Sequence, residues 1–166
     1  TESGDTWFYQ VGIKTGAEPI ILWSLKLGFG AKCGIPLRGE VEGRVPTDEY
    51  MKATHGRKLL GGDVANLSIG QGDVQVTPLQ MAQAMAIVGN GGTFYQARLV
   101  QQVQTLDNQI VTAYQVRAKK TLDASPLTLD ELRTGLIEVV NGPGGTGHEG
   151  SLENVEVAGK TGTAQW

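Results

Sequence analysis

The amino-acid sequence predicts an α+β domain, and three observations carry that expectation. Several segments open on helix-capping chemistry and continue with apolar residues at helical spacing. Two alternating segments flank an Asp-Asn turn, the pattern of a hairpin. The last residues alternate again, as a strand with one buried face. A chain of 166 residues holds one domain and one core rather than two. Its 24 glycines are about twice the usual share, so tight turns and close backbone approaches are numerous.

The elements follow in chain order. Ser3-Gly4-Asp5 precedes Thr6-Trp7-Phe8-Tyr9-Gln10-Val11-Gly12, a first helix capped by Asp5 or Thr6. Capping is also the plain structural role for Ser3 and Asp5. Lys14-Thr15-Gly16 reads as the C-terminal end of that helix, with Gly16 just past the cap. Pro19 is expected at the first position of a second helix, Ile20 to Leu27, which buries Ile21, Leu22, Leu25 and Phe29. Residues 28–43 are Gly-rich and irregular. Thr47 to Met51 is a short capped helix, and Lys52 to Lys58 a basic, solvated face.

Asn66-Leu67-Ser68-Ile69-Gly70-Gln71-Gly72 then leads through Asp73 to Val76 into Thr77-Pro78-Leu79-Gln80. This is a strong helix start, with Thr77 as N-cap, Pro78 at the first position and Gln80 completing a capping box. Met81, Ala82, Ala84, Met85 and Ala86 continue it as core, and Asn90-Gly91-Gly92 stops it. Leu99–Val103 and Ile110–Val116 form the hairpin around Asp107-Asn108, with no evident chemistry. Thr128-Leu129-Asp130-Glu131 opens a helix to about Val140 with Leu132, Leu136, Ile137 and Val140 buried. A glycine-rich loop, 141–150, leads into the terminal strand.

Composition excludes several classes. A formal charge of −3 and a pI near 5.4, with no basic cluster, argue against nucleic acid as a main partner. Cys33 is alone, so neither a disulfide nor a thiolate metal site is expected, and His55 and His148 lack partners at metal-ligand spacing. No metal or cofactor is expected. No apolar run reaches spanning length, and Thr1-Glu2-Ser3 does not begin a signal peptide, so any membrane anchor is expected outside these residues.

The stretch with the most chemistry is Val155 to Trp166. Val155 and Val157 alternate with Glu156. Ala158, Gly159, Gly162 and Ala164 then surround one cation, Lys160, and two hydroxyls, Thr161 and Thr163. Small residues allow a ligand to lie close to the backbone, and the ammonium offers a charge to an anion. Three readings compete: an ordinary strand end, a phosphate loop, and the Lys-Thr-Gly signature of penicillin-recognising serine enzymes. The phosphate loop fails because Asn154 stands where it requires glycine. Lys-Thr-Gly alone is weak, since Lys14-Thr15-Gly16 repeats it.

Order and spacing add what the tripeptide lacks. Ser-Gly-Asp with Thr-Trp-Phe-Tyr-Gln, then Ile-Gly-Gln-Gly with Val-Thr-Pro-Leu-Gln-Met, then Gly-Gly-Thr-Gly, then Lys-Thr-Gly-Thr-Ala succeed one another from Ser3 to Trp166. In this the chain resembles the class B penicillin-binding proteins, most of all their elongation-type branch. The resemblance implies part of the penicillin-binding protein and serine β-lactamase transpeptidase fold, mainly its helical part plus the active-site strand. It implies a D,D-transpeptidase that crosslinks peptidoglycan stem peptides ending in D-Ala-D-Ala through an acyl-serine and is acylated by β-lactams.

By the same resemblance Ser3 is the second-motif serine, a proton relay, and Asp5 fills the third place of that motif, where many relatives carry asparagine. Lys160 faces Ser3 across a cleft, Thr161 and Thr163 bind the substrate carboxylate with Gly162 keeping the strand open, and the Thr163 N–H is an oxyanion donor. The resemblance further implies a membrane glycosyltransferase of the elongation machinery as partner, at the periplasmic face of the bacterial inner membrane. No Ser-x-x-Lys occurs among the 166 residues. The nucleophile and general base are therefore expected upstream of Thr1, and two further strands and a helix beyond Trp166. Residues 1–166 are expected to be a transpeptidase domain truncated at both ends and inactive alone. A β-lactam sensor, a serine β-lactamase or a non-catalytic cell-wall scaffold would share these motifs.

Overall fold

The computed structural model describes residues 4–162. Along the chain come α1 (Asp5–Thr15), α2 (Ala17–Lys26), α3 (Asp48–His55), α4 (Gly61–Ser68), α5 (Pro78–Gly89), β1 (Thr93–Tyr95), β2 (Gln102–Gln104), β3 (Ile110–Ala113), β4 (Ala118–Thr121) and α6 (Pro126–Asn141), with a 3-10 turn at His148–Gly150. The α+β expectation holds. The chain divides into two compact units, one drawn from Thr1–Trp23, Pro46–Val74 and Ala124–Trp166, the other from Ser24–Val45 and Gln75–Asp123.

In the first unit α1 packs on α4. Gly12 is buried at the contact, where a Cβ would collide with the Ser68 side chain. The Ser68 hydroxyl in turn reaches the carbonyls of Ala65 (2.6 Å) and Phe8 (3.0 Å). Helix α1 starts one residue earlier than the cap chemistry suggested. Gly4 is the N-cap with no side-chain cap bond, so Asp5 is the first helical residue. Its carboxylate there suits the positive end of the helix dipole. The C-terminal end is as expected, with the Gly16 N–H on the Gly12 carbonyl at 2.9 Å.

Helix α2 begins at Ala17, placing Pro19 third rather than first; a missing N–H still costs nothing there, because the first turn has no intrahelical acceptor. Its expected apolar stripe does not form. No α2 residue is buried, and Leu22 and Leu25 are 50% and 45% exposed, since no described element packs over that face.

Helix α3 has the expected Thr47 cap, accepting from the Tyr50 N–H at 3.2 Å, and buries Met51. The basic run after it is not merely solvated: Arg57 forks onto Asp63, Lys58 meets Asp48 and His55 meets Asp73. Helix α4 was not legible as a helix. Leu60 offers no cap hydroxyl, and two glycines open the first turn, but the Asp63 carboxylate accepts from the Leu60 N–H at 2.7 Å, the reciprocal half of a capping box. Helix α6 starts three residues before the expected position. Ser125 caps it, accepting from the Thr128 N–H at 3.1 Å, and its hydroxyl also bonds that of Thr128 at 2.8 Å. Leu129, Val139 and Val140 are buried, whereas Leu132, expected in the core, is half exposed.

The second unit is organised by α5, whose cap and capping box are as expected. Gln80 is 2% exposed and fully used. Its Oε1 accepts from the Thr77 N–H (2.8 Å), and its Nε2 donates to the Ala31 (2.8 Å) and Glu42 (2.7 Å) carbonyls, tying the Gly-rich segment to the helix. Such full satisfaction is what makes a buried amide tolerable. Cys33, Val45, Ala84, Ile87 and Phe94 complete the core, and burial pushes the Cys33 thiol up. Met81 and Met85, expected inside, are 41% and 42% exposed.

The hairpin turns where expected, with Asn108 at φ 66° and β2 paired to β3; β1 and β4 pair outside it. The terminal strand is a correction. Residues 156–162 belong to no strand, and only a Leu152–Val155 bridge forms nearby. Alternation supplies a strand's faces but not its neighbour, and no strand lies beside this segment among the described residues.

Candidate active-site cleft

Within the first unit, residues from opposite ends of the chain share one cleft of about 460 Å³. Asp5, Phe8, Ser68, Ile69, Gln71, Lys160, Thr161 and Gly162 line it. Of the residues singled out from sequence, Asp5, Lys160, Thr161 and Gly162 therefore come together. Ser3 and Thr163 lie outside the described residues.

Asp5 stands on the wall built by α1. The register of that helix is fixed by its close contact with α4, because Gly12 admits no side chain against Ser68. A shift of α1 along α4 would move Asp5 relative to the cleft. Ser68 is itself a wall residue but not a nucleophile. Its single proton is shared between two carbonyls, and among the described residues no basic group is hydrogen-bonded to it.

The opposite segment is held without a sheet. The Gly159 N–H donates to the Leu136 carbonyl at 3.0 Å, and Asn141 Nδ2 donates to the Val157 carbonyl at 2.9 Å and the Ile137 carbonyl at 3.0 Å. Asn141, the last residue of α6, thus ties the 156–162 segment to the helix end. The glycine loop then folds back on α6. The Gly147 N–H meets the Val139 carbonyl at 2.8 Å, and a Cβ on Gly145 would collide with that same carbonyl. This fold-back brings Thr146 Oγ1 to 3.0 Å from Thr161 Oγ1. Lys160 Nζ turns to the Thr161 carbonyl (3.0 Å) and hydroxyl (3.4 Å).

The third wall comes from the loop after α4. The Gln71 N–H donates to the Asn66 carbonyl at 2.9 Å, and Gly70 and Gly72 both adopt positive φ, which a side chain would resist. Asp73, just beyond, is tied to α3 by His55 at 3.2 Å and by the Tyr50 hydroxyl at 3.5 Å. Phe8, Ser68, Ile69 and Gln71 were not selected as site residues from sequence. The signal was present in the Trp-Phe-Tyr and Ile-Gly-Gln-Gly blocks, but nothing local marks those residues as facing a ligand.

The cleft therefore offers one ammonium, one carboxylate, two hydroxyls, an amide and a phenyl ring. That set suits an anionic, peptide-like ligand laid along the 159–162 backbone. Among the described residues no three His, Cys, Asp or Glu side chains gather as metal ligands would.

Comparison with known proteins gives one answer at each level. The family described as "Penicillin binding protein transpeptidase domain" matches residues 1–166. Peptidoglycan D,D-transpeptidase MrdA of Haemophilus influenzae is 32% identical over 99% of this chain and 25% of its own length. The Escherichia coli K12 protein of that name is 32% identical over 99% of this chain and 26% of its own length. Stage V sporulation protein D of Bacillus subtilis is 33% identical over 95% of this chain and 23% of its own length. The chain thus spans about a quarter of the length of these relatives.

Among solved structures, the penicillin-binding protein PBP2 of Helicobacter pylori, in complex with MreC, superposes with a TM-score of 0.81 at 28% identity, over 98% of this chain and 29% of that one. Pseudomonas aeruginosa PBP2 in complex with WCK 5153 gives 0.71 at 30% identity, over 87% of this chain and 32% of that one. The imipenem acyl-enzyme of penicillin-binding protein A from Mycobacterium tuberculosis gives 0.78 at 25% identity, over 96% and 33%. The expected transpeptidase fold is therefore the observed one.

Proposed function

The chain belongs to the penicillin-binding protein transpeptidase domain family, and on that premise we propose that it forms part of a peptidoglycan D,D-transpeptidase. The carrying observation is the meeting of Asp5, at the start of α1, with Lys160–Thr161–Gly162 in one cleft. In the proposed reaction a serine Oγ attacks the carbonyl carbon of the D-Ala-D-Ala bond. An acyl-serine ester forms, and D-alanine leaves with a proton. An amine on a neighbouring strand then attacks the ester, forms the crosslink and frees the serine. β-Lactams acylate the same serine.

These 166 residues contain no Ser-x-x-Lys, so residues other than these supply the nucleophile and its base. This chain supplies the rest. The Lys160 ammonium draws in the substrate carboxylate, and Thr161, its hydroxyl steadied by Thr146, binds it. Thr163 adds a second hydroxyl and, through its N–H, an oxyanion donor. Ser3 relays the proton toward the leaving amine, and Asp5 holds the third place of its motif. We place the activity at the periplasmic face of the inner membrane, with a membrane glycosyltransferase of the elongation machinery as partner.

Labelling with a fluorescent penicillin tests the proposal. The intact protein is expected to label, the 166-residue chain to stay blank, and Lys160→Ala in the intact protein to label far more slowly. A blank intact protein, or full-rate labelling of Lys160→Ala, contradicts it. Lifetime of the label separates a transpeptidase, slow to release it, from a β-lactamase.

A further inference from the structure

Residues 156–162 belong to no strand, yet alternate residues of this segment are attached to one neighbour, the end of α6 and the loop after it. Asn141 Nδ2 donates to the Val157 carbonyl at 2.9 Å, the Gly159 N–H donates to the Leu136 carbonyl at 3.0 Å, and the Thr161 hydroxyl lies 3.0 Å from that of Thr146. Burial follows the same alternation. Val157 and Gly159 are half-buried, whereas Glu156, Ala158 and Lys160 are exposed. Gly159 rests on Val140, whose Cγ2 would lie 3.5 Å from a Cβ built there. The period of two that a sheet would use is thus taken up by a helix end.

Two of these attachments depend on side chains. Thr146 bonds the Thr161 hydroxyl itself, whereas Asn141 acts further back, on the backbone at Val157. Asn141 Nδ2 also donates to the Ile137 carbonyl at 3.0 Å, one turn back in its own helix. Both amide protons are therefore committed to carbonyls, which fixes the way the amide faces. One proton held by the helix presents the other in a set direction, so the Val157 carbonyl meets a preorganised donor. An aspartate of the same shape would turn a carboxylate oxygen toward both carbonyls. The Gly159 bond alone is a pivot; with the Val157 bond beside it, the segment has a direction.

We infer that Asn141 is a positioning residue of the proposed transpeptidase. Its hold on the Val157 carbonyl sets where the Lys160 ammonium and the Thr161 hydroxyl stand, and so how strongly the cleft grips a ligand's carboxylate. The inference rests on the functional reading above. Asn141 itself lies outside the cleft lining, so it acts only through the segment it holds. Its removal should therefore be felt by the part of a ligand that meets residues 160 and 161, which is the anion.

The test compares benzylpenicillin with its methyl ester, which keeps the β-lactam and loses the anion, as acylating agents of the intact protein. Wild type is expected to react faster with the free acid. Asn141→Ala should slow acylation by the free acid about fivefold, as the loss of one hydrogen bond would, and leave the ester within about twofold. Both rates are read on the same sample, so their ratio does not depend on how much of the variant is folded. Asn141→Asp, which lacks the donor, should lose the preference for the acid likewise. Asn141→Gln, which keeps the donor one methylene further out, should regain part of it. Equal slowing of acid and ester in Asn141→Ala, or an unchanged acid preference, overturns the inference alone, since the bond would then serve only the end of α6. So does a wild type that reacts equally with acid and ester. A wild type that reacts with neither overturns the transpeptidase reading, and this inference with it.

Discussion

Lys14-Thr15-Gly16 and Lys160-Thr161-Gly162 are the same tripeptide in two settings within one compact unit. In the first copy Lys14 and Thr15 are the last residues of α1, and Gly16, at φ 83°, turns the chain out of the helix. In the second copy the residues belong to no helix or strand, line a cleft, and have the Thr161 hydroxyl bonded to Thr146 from a separate loop. The difference is not in the three side chains. Backbone conformation decides whether ammonium and hydroxyl converge on a ligand or splay along a helix end, and conformation is imposed by neighbours: Gly12 and Ser68 for the first copy, Leu136, Asn141 and the glycine loop for the second.

The contrast can be broken or sharpened by substitution. The largest effect is expected in Lys160→Ala, which should slow penicillin acylation of the intact protein by about 10²–10³-fold, the usual loss for a preorganised group at a reacting centre. Lys14→Ala should stay within about twofold. Next comes the contact that fixes α1. Gly12→Val forces a side chain into Ser68 and should cost about 1–3 kcal/mol, read as a fall in Tm. The paired glycines should part company. Gly16→Ala meets no obstruction but must hold a left-handed φ, so it should lose about 1 kcal/mol of stability with acylation unchanged. Gly162→Ala should leave stability unchanged and slow acylation, because its Cβ would project into open space beside the cleft. A smaller effect is expected at Thr146→Val, which removes the bond to Thr161. About 1 kcal/mol, or roughly fivefold in acylation, should go, and Thr146→Ser should restore it.

The smallest effect concerns pH. The Arg57 guanidinium and then the Leu60 N–H hold the Asp63 carboxyl below its ordinary value. A carboxyl lowered on folding contributes stability above its unfolded pKa and loses that contribution as pH falls through its folded pKa. Asp63→Asn should therefore lower Tm by a few degrees at neutral pH and leave it unchanged well below about pH 4. A Tm deficit that persists in acid would place the role of Asp63 in packing rather than charge.

Legibility in the sequence followed how local each determinant is. The α5 cap, the α3 cap and the Gly16 exit from α1 are set by residues within four positions and could be read directly. Where two local signals compete, the nearer proline decides. Ser125-Pro126 outranks Thr128, whose hydroxyl is drawn into the Ser125 cap. Helix α4 escaped notice because the bond at its start is made by Asp63 from inside the helix, with Arg57 holding that carboxylate from outside it. The terminal strand and the α2 stripe were overread for the opposite reason. Alternation and apolar spacing describe what a segment offers, and among the described residues no strand or helix takes up the offer. Of the lining of the candidate cleft, Asp5 and Lys160–Gly162 were singled out by motif order, whereas Phe8, Ser68 and Gln71 became visible only once α1, α4 and the 69–72 loop were placed around it.

The most direct measurement is a crystal structure of the intact protein acylated by a penicillin. The drug carboxylate is expected within about 3.2 Å of the Thr161 hydroxyl, in the cleft between Asp5 and Gly162, with the ester on a serine outside these 166 residues. A drug bound with no contact to residues 160–162, or an ester on any serine of this chain, would contradict the account.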